Sequence, residues 1–335
     1  MNRGDNIAEV ENLHKTFDRK RSDRTYAVYD LTLAVRRGEI LGLVGESGCG
    51  KSTLGKLMLR LDTPTRGRIF FDGRDISRLG YSSLRPIRHR MQMVFQEAST
   101  AFNPYYTVRR SVGEPLGNFR RGMPERELLE LVVTQLERVG LGAEHLGRYP
   151  GELSGGQLQR VGLARALIVE PDFLVCDESV SSIDHAVKNA ILDLLAGLRR
   201  EKGSSYLFIS HDLAAVRRIC DRVAVMYLGN LVELMPRAGI RPGHPYTAAL
   251  TAATLSPDPR RRGRRKVLFK EGEELRLNSS GCVFQNRCLL AAGRCAAERP
   301  LLDDRGGGHL VACHLPDISA LEAPDPADGG PEPDC

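Results

Sequence analysis

Apolar and polar side chains alternate through the first part of the chain in the manner of strands, at Ile7-Ala8-Glu9-Val10, Ala27-Val28-Tyr29 and Leu31-Thr32-Leu33-Ala34-Val35. The polar insert from Asp18 to Arg24 between them is expected to be an exposed turn. Ile40-Leu41-Gly42-Leu43-Val44 is an unbroken apolar run of the kind a buried strand carries. Leu54-Gly55-Lys56-Leu57-Met58-Leu59 then begins a helix. Gly67 to Gly73 predicts a strand closed by an Asp-Gly turn, and Met91-Gln92-Met93-Val94-Phe95 a strand ending at Gln96. From about Glu97 to Tyr149 the texture is helical. Leu128, Leu131, Val132, Leu136 and Val139 recur at three- and four-residue spacing, which puts them on one helix face. Strand character returns at Phe173-Leu174-Val175-Cys176, Tyr206-Leu207-Phe208-Ile209 and Arg222-Val223-Ala224-Val225-Met226. Helical stretches separate these runs, which predicts an α/β fold with a parallel sheet and crossover helices.

The pattern changes near Pro242. The expected organisation is a principal domain over residues 1–240 with a helical subdomain at about 97–165, a linker over 241–266, a small cysteine-bearing module over 267–315 and a disordered Pro-, Asp- and Ala-rich tail over 316–335. A basic run, Pro257 to Lys266, lies in the linker. It fits a solvated charge run better than a contact with anionic lipid. With 335 residues the chain is long enough for one large α/β domain and a smaller one, at ~150 residues per domain. No stretch approaches the roughly 20 apolar residues that span a bilayer, and the polar N-terminus has no apolar h-region, so a soluble intracellular protein is expected. A formal charge of +6 is mild, and no nucleic-acid partner is expected. Eight cysteines in such a chain favour thiols or metal ligands over disulfides.

Chemistry enters between the buried strand at 40–44 and the helix that follows. Gly45-Glu46-Ser47-Gly48-Cys49-Gly50-Lys51-Ser52-Thr53 is a glycine-rich loop in the strand–loop–helix context of a Walker A phosphate site. The glycines let the backbone turn so that its N–H groups face one concavity, and the helix N-terminus adds partial positive charge. Lys51 is expected to reach the β- and γ-phosphates of a nucleotide and Ser52 to sit on Mg²⁺. Asp177-Glu178 ends an apolar strand at the edge where open α/β sheets bind ligands. After a Walker A loop, this pair fits Asp177 as a Mg²⁺ ligand and Glu178 as the carboxylate that orients the attacking water. Leu153-Ser154-Gly155-Gly156-Gln157 carries a capping box, Ser154 with Gln157, at the start of a helix predicted over Leu158 to Ile168. The two glycines expose helix N-terminal N–H groups, a second anion site.

LSGGQ lying between a Walker A loop and an Asp-Glu strand resembles the nucleotide-binding subunits of ABC transporters, from Ala8 to about Met235. The resemblance implies head-to-tail pairing of two ATPase subunits. Ser154, Gly155, Gly156 and Gln157 of one chain would then act on ATP held by the other. It also implies that Gln96 senses the γ-phosphate, contacts Mg²⁺ and couples to the membrane subunit. His211 would be the switch histidine on the γ-phosphate, and Asp184 the D-loop aspartate. Phe17 is implied as the aromatic that stacks on adenine, with Tyr26 as the alternative.

A second resemblance covers the C-terminal part. Gly243-His244-Pro245-Tyr246-Thr247, followed by Gly281-Cys282, Arg287-Cys288, Cys295 and Val311-Ala312-Cys313-His314, is similar to the extension of oligopeptide, dipeptide and nickel importer ATPases. The chain departs from that pattern at Ser179, where the family has proline. Both carboxylates remain, but the departure leaves nickel or a metal chelate open beside peptide as cargo. The resemblance implies a peripheral subunit on the cytoplasmic face of the cell membrane. Its partners would be two permease subunits, a second related ATPase and an extracytoplasmic binding protein. The rival reading is a soluble ABC ATPase serving a cytosolic enzyme assembly. A DNA-repair ATPase would need a long heptad insert between the two glycine motifs, and the sequence has none.

Cys282, Cys288, Cys295 and Cys313 are separated by five, six and seventeen intervening residues in a segment poor in apolar residues. So small a module gains from a metal staple. Four thiolates suit Zn²⁺ or an iron–sulfur cluster, and the first two intervals are wider than zinc knuckles use. The resemblance favours a 4Fe-4S cluster. Free structural thiols are the alternative.

Overall fold

The computed structural model describes residues 3–19, 23–120, 122–179, 184–253, 270 and 280–318. The chain opens with a long hairpin, β1 (Asn6–Arg19) and β2 (Asp23–Arg36), and then enters β3 (Ile40–Val44) and helix α1 (Lys51–Met58). Next come β4 (Arg66–Phe71), β5 (Arg74–Asp75), the short helix α2 (Tyr81–Leu84) and β6 (Met91–Val94). Helices α3 (Val108–Phe119), α4 (Glu125–Arg138) and α5 (Gly155–Leu167) form the helical layer. The chain then alternates through β7 (Phe173–Asp177), α6 (His185–Lys202), β8 (Ser205–Ile209), α7 (Leu213–Ile219) and β9 (Arg222–Tyr227). It closes with β10 (Asn230–Met235), α8 (Pro245–Ala253), α9 (Gly293–Ala297), β11 (Asp303–Asp304) and β12 (Leu310–Val311).

Among the described residues the strands make two sheets. The smaller is antiparallel, in the order β2-β1-β4-β5. The larger runs β11-β12-β10-β9-β3-β8-β7-β6. Its segment from β9 to β6 is parallel, as the repeating strand–helix pattern predicts. Strand β3 lies inside it, with Leu41 opposite both Leu207 and Arg222. All five of its residues are buried, which explains why it is apolar without alternation. Strand parity divides its side chains between two cores. Ile40 and Val44 join Leu174, Cys176, Tyr206 and Phe208 against the helical layer. Leu41 and Leu43 join Val175, Leu207 and Ile209 against α1 and the antiparallel sheet.

The predicted face of α4 packs as the spacing requires, with Val132 and Leu136 fully buried. Of the segment expected as a linker, residues 245–253 form α8, buried from Pro245 to Ala249. Proline at the first helical position and the alanines after it suit a helix. Residues 254–266, including the basic run from Pro257, lie outside the described residues, as do 319–335 of the expected tail; Ile318 is buried.

The C-terminal module docks on the main sheet through β12, which pairs with β10 at Glu233↔Val311. Rings cement the contact: Tyr227, Tyr246 and Phe284 meet with centroids 4.6 to 5.5 Å apart. All three are fully buried, and each contributes about 2 kcal/mol by area alone. Beneath them Glu233, wholly buried, accepts from the N–H groups of Gly243 (2.6 Å) and His244 (3.1 Å) and pairs with His309 Nε2 at 2.6 Å. His244 Nδ1 accepts from the Tyr246 N–H at 3.0 Å, and burial pushes the ring's pKa down to about 4 against the opposing pull of Glu233. The unfolded chain therefore takes up a proton near 6.5 that the folded chain refuses until about 4, and stability falls as pH drops through that window. The effect on unfolding free energy should reach about 3 kcal/mol. Urea midpoints measured from pH 7 to pH 4 should show the loss, and the slope should flatten in His244→Asn.

Candidate functional site

The loop from Gly45 to Gly50 leaves the C-terminal edge of β3 in a shape that its glycines make possible. Gly45 has φ +154°, and a Cβ there would lie 2.2 Å from the Met226 carbonyl oxygen. Gly50 has φ +104°, and a Cβ there would lie 1.9 Å from the carbonyl oxygen of Ala27. Both side chains are therefore excluded by backbone and by conformation. The turn at Gly229 clamps the loop from outside: its N–H donates to Cys49 O at 2.9 Å, and its carbonyl accepts from Tyr29 N. Ser47 and Gly48 are exposed at the tip, Cys49 is buried with its thiol pushed up by burial, and Thr53 is half-buried in α1.

Lys51 is almost fully buried and curls back over the loop. Its Nζ donates to Gly45 O at 2.9 Å and to Glu46 O at 2.8 Å. Two residues of the site lie side by side beneath it, where Ser52 Oγ donates to Asp177 Oδ1 at 3.0 Å. Asp177 ends β7 and is 2 % exposed; burial pushes its pKa up, against the Ser52 hydrogen bond and the charges of Lys56 and Lys51. A buried carboxylate beside a hydroxyl is a hard-oxygen donor pair of the kind Mg²⁺ takes. Ser52 and Asp177 would hold that ion, which would offset phosphate charge.

Three further groups meet just beyond Asp177. Glu178 accepts from Gln96 Nε2 at 3.0 Å and faces His211 Nδ1 at 3.4 Å. Its backbone is left-handed, with φ +46°, while its N–H still donates to Ile209 O at 3.0 Å. That twist at the strand end lets two successive carboxylates face different partners, Asp177 toward α1 and Glu178 toward Gln96 and His211. Left-handed backbone in a non-glycine residue is uncommon and concentrates at functional sites. Gln96, Glu178 and His211 follow β6, β7 and β8, neighbouring parallel strands, so all three reach the edge from which the glycine loop also springs.

The other predicted residues stand apart from this cluster. Ser154 caps α5 with both halves of the expected box: Gln157 N–H donates to Ser154 Oγ at 3.2 Å, and Ser154 N–H to Gln157 Oε1 at 2.9 Å. Helix α5 begins at Gly155, earlier than the predicted Leu158, because the cap sets the start. A Cβ at Gly155 would meet open space, so no contact among the described residues demands that glycine. Helix α5 packs on α3, α4 and β6. Asp184 is exposed just before α6, without a side-chain cap bond; residues 180–183 lie outside the described residues. Phe17 on β1 is exposed, with Lys15 Nζ 5.1 Å from its ring centroid. Thr16 pairs with Tyr26, beside the Ala27 that abuts Gly50, so this hairpin end lies near the loop. The Tyr26 ring is engaged edge-on with Tyr29 at 5.0 Å.

Sequence reasoning gave Gln159, Tyr246 and Arg287 no role at this site. Buried Gln159 donates to Phe95 O at 3.1 Å and ties α5 to the segment bearing Gln96. A glutamine two residues after LSGGQ on an otherwise apolar face was the available signal. Tyr246 and Arg287 both bind Glu46 of the loop from far along the chain. Among the described residues, no three His, Cys, Asp or Glu side chains stand close enough to share a metal ion.

Fold and site together define a P-loop ATPase. The family described as ABC transporter matches residues 28–181, and that described as oligopeptide/dipeptide transporter, C-terminal region, matches 229–295. A probable peptide ABC transporter ATP-binding protein of Sinorhizobium fredii, y4tS, is 47% identical over 291 residues, 86% of this chain and 82% of that protein. The oligopeptide transport ATP-binding protein AppF of Bacillus subtilis is 44% identical over 306 residues, covering 89% and 92%. Among solved structures, the ATP-binding cassette MJ0796, a dimer in a post-hydrolysis state bound to ADP and Pi, superposes with TM-score 0.67 at 28% identity. That match covers 70% of this chain and 100% of MJ0796. The chain belongs to the ATP-hydrolysing subunits of ABC transporters.

Replacing Glu178 by Gln keeps the phosphate loop intact and removes the carboxylate that meets Gln96 and His211. ATP turnover should fall about 100-fold or more while ATP binding persists. Steady-state hydrolysis alongside equilibrium nucleotide binding checks this, and near wild-type turnover would remove Glu178 from the role.

Proposed function

We propose that this chain energises peptide import at the cytoplasmic face of a membrane, as a peripheral subunit. The observation that carries the reading is the convergence of Gln96, Glu178 and His211 at 3.0 and 3.4 Å, beside the Ser52–Asp177 pair and the glycine loop. Lys51 and the loop N–H groups bind the phosphates of ATP. Glu178 orients water for attack, with Gln96 and His211 holding its two oxygens. Phe17 receives the adenine. Ser154, Gly155, Gly156 and Gln157, with Asp184, complete the site held by a second ATPase chain; the freedom around Gly155 supports a role toward a partner. Closure on ATP and reopening after hydrolysis then alternate the access of two permease subunits.

A groove of about 520 Å³ between the 3-10 turn Arg85–Arg90 and the helical layer supports a permease contact. It is lined by Arg85, His89, Leu116, Phe119, Arg120 and Val169. Its apolar floor and basic rim suit a cytoplasmic helix of the permease bearing acidic residues. No helix among the described residues is long and apolar enough to cross a membrane, so spanning falls to such partners. The names of the relatives favour peptide over nickel or a metal chelate, with an extracytoplasmic binding protein selecting the cargo. In proteoliposomes holding the assembled transporter, oligopeptide uptake should require ATP and stop with Ser154→Arg. In a heterodimer, nucleotide trapping should be lost at the partner's Walker A site. Uptake of nickel without peptide would overturn the cargo, and ATP hydrolysis with no membrane partner would favour the soluble assembly.

The four late cysteines are proposed to hold one 4Fe-4S cluster, which would draw together thiols that do not stand close enough to share a metal ion in the structure. Cys282, Cys288 and Cys295 are buried, and Cys313 is half-buried. Burial, with smaller contributions from Cys313, Cys282 and Cys295, raises the Cys288 thiol to about 11. Cys282 N–H donates to Cys295 O at 2.7 Å, joining two of the segments. Anaerobically purified protein should carry iron with labile sulfide and lose both on Cys288→Ser. Zinc in place of iron would make the site a zinc centre, and metal-free folded protein would leave four structural thiols.

A further inference from the structure

Glu46 is the one carboxylate in the phosphate loop, at its second position. An acidic side chain there is unfavourable, because a triphosphate bound a few ångströms away repels it. Each polar group of Glu46 is held by a different partner. Its carbonyl accepts from Lys51 Nζ at 2.8 Å, and its N–H donates to the hydroxyl of Tyr246 at 2.7 Å. Its carboxylate takes both terminal nitrogens of Arg287, at 2.8 and 3.1 Å. This is the bidentate fork that only arginine provides. The Arg287 side chain is 13 % exposed and that of Glu46 36 %, so solvent screens the pair only in part. Arg287 also hydrogen-bonds Tyr227 and lies 6.0 Å from the Phe284 ring, so the aromatic cluster fixes it in place. Tyr246 belongs to α8, and Arg287 directly precedes buried Cys288 in the C-terminal module.

We propose that Arg287 is a positioning residue for the phosphate loop: it neutralises Glu46 and draws its carboxylate out of the anion cradle, while Tyr246 fixes the backbone of the same residue. Docking of the C-terminal module thereby sets the affinity for ATP. The inference rests on the placement of ATP at Gly45–Thr53. Without Arg287, the freed carboxylate opposes the nucleotide in proportion to its charge, so ATP loses more than ADP.

The test is calorimetric titration of the purified full-length chain with Mg²⁺ and either AMP-PNP or ADP, with circular dichroism to verify the fold. Arg287→Ala should weaken AMP-PNP about tenfold, equivalent to about 1.4 kcal/mol, and ADP by less. The Michaelis constant for ATP should rise while turnover at saturation holds. Arg287→Lys should recover part of the affinity. Adding Glu46→Gln to Arg287→Ala should recover most of it, because the repelling charge is gone. Unchanged affinity in Arg287→Ala would overturn the proposal. A double variant as weak as Arg287→Ala would do so as well, by showing that Arg287 serves only to dock the module. Lys51→Ala separates the premise from the proposal: it should abolish binding whatever Arg287 does, and wild-type binding there would refute the ATP placement instead.

Discussion

Parallel pairing of β6, β7, β8 and β3 constrains everything at the site, because strands aligned in one direction deliver their C-terminal residues to one edge. Met91 lies opposite Phe173, Phe173 opposite Ser205, and Ile40 opposite Tyr206. In that register Gln96, Asp177, Glu178, His211 and Gly45 all emerge within reach of a shared ligand, although Gly45 and His211 are separated by most of the domain's sequence. A slip of one residue in β7 would exchange the buried and exposed faces of that strand. Leu174 and Cys176 would leave the helical-side core and Val175 would leave the other. The two cores therefore hold the catalytic register as firmly as they hold the fold.

The charges at this edge are arranged for a ligand that brings both signs. Lys51 is buried and held by two carbonyl oxygens and the Cys49 thiol of its own loop, which are weaker partners than phosphate oxygens. Asp177 is buried beside a hydroxyl, at a cost that a divalent cation would offset. Glu178 differs: it is partly accessible and meets two polar side chains, Gln96 and His211. Adjacent residues thus take opposite electrostatic roles because the left-handed turn at Glu178 aims them apart.

Much of this was legible beforehand. The unbroken apolar runs at 40–44, 173–176 and 206–209 gave the parallel strands, since burial on both faces removes alternation. The glycine loop and the Asp-Glu pair carried their chemistry in spacing alone. The meeting of Gln96, Glu178 and His211 was not readable from spacing, because it arises from strand order, which local pattern does not encode; the family resemblance supplied it. Residues 245–253 were read as linker because prolines and the basic run nearby dominate the composition. Their burial depends on a tertiary partner, the ring cluster of Tyr227 and Phe284, that no local window contains. The contacts of Arg287 and Tyr246 with Glu46 span 241 and 200 residues and were hidden for the same reason.

Those two contacts change how the C-terminal part relates to the ATPase. A module that only decorated the sheet would need β12 and the ring cluster and nothing more. Here β10, the strand that receives it, turns through Gly229 onto the phosphate loop, and the same module sends an arginine to that loop. Glu233 ties β10 to His309 of the module and to the start of α8, and α8 in turn places the Tyr246 hydroxyl on Glu46. A disturbance around the four cysteines therefore has two short covalent and hydrogen-bonded routes to the phosphate site, one through Arg287 and one through α8. Both end on the backbone or side chain of one residue. That convergence gives the acidic second position of the loop a physical purpose: it is the handle by which a distant module grips the phosphate cradle.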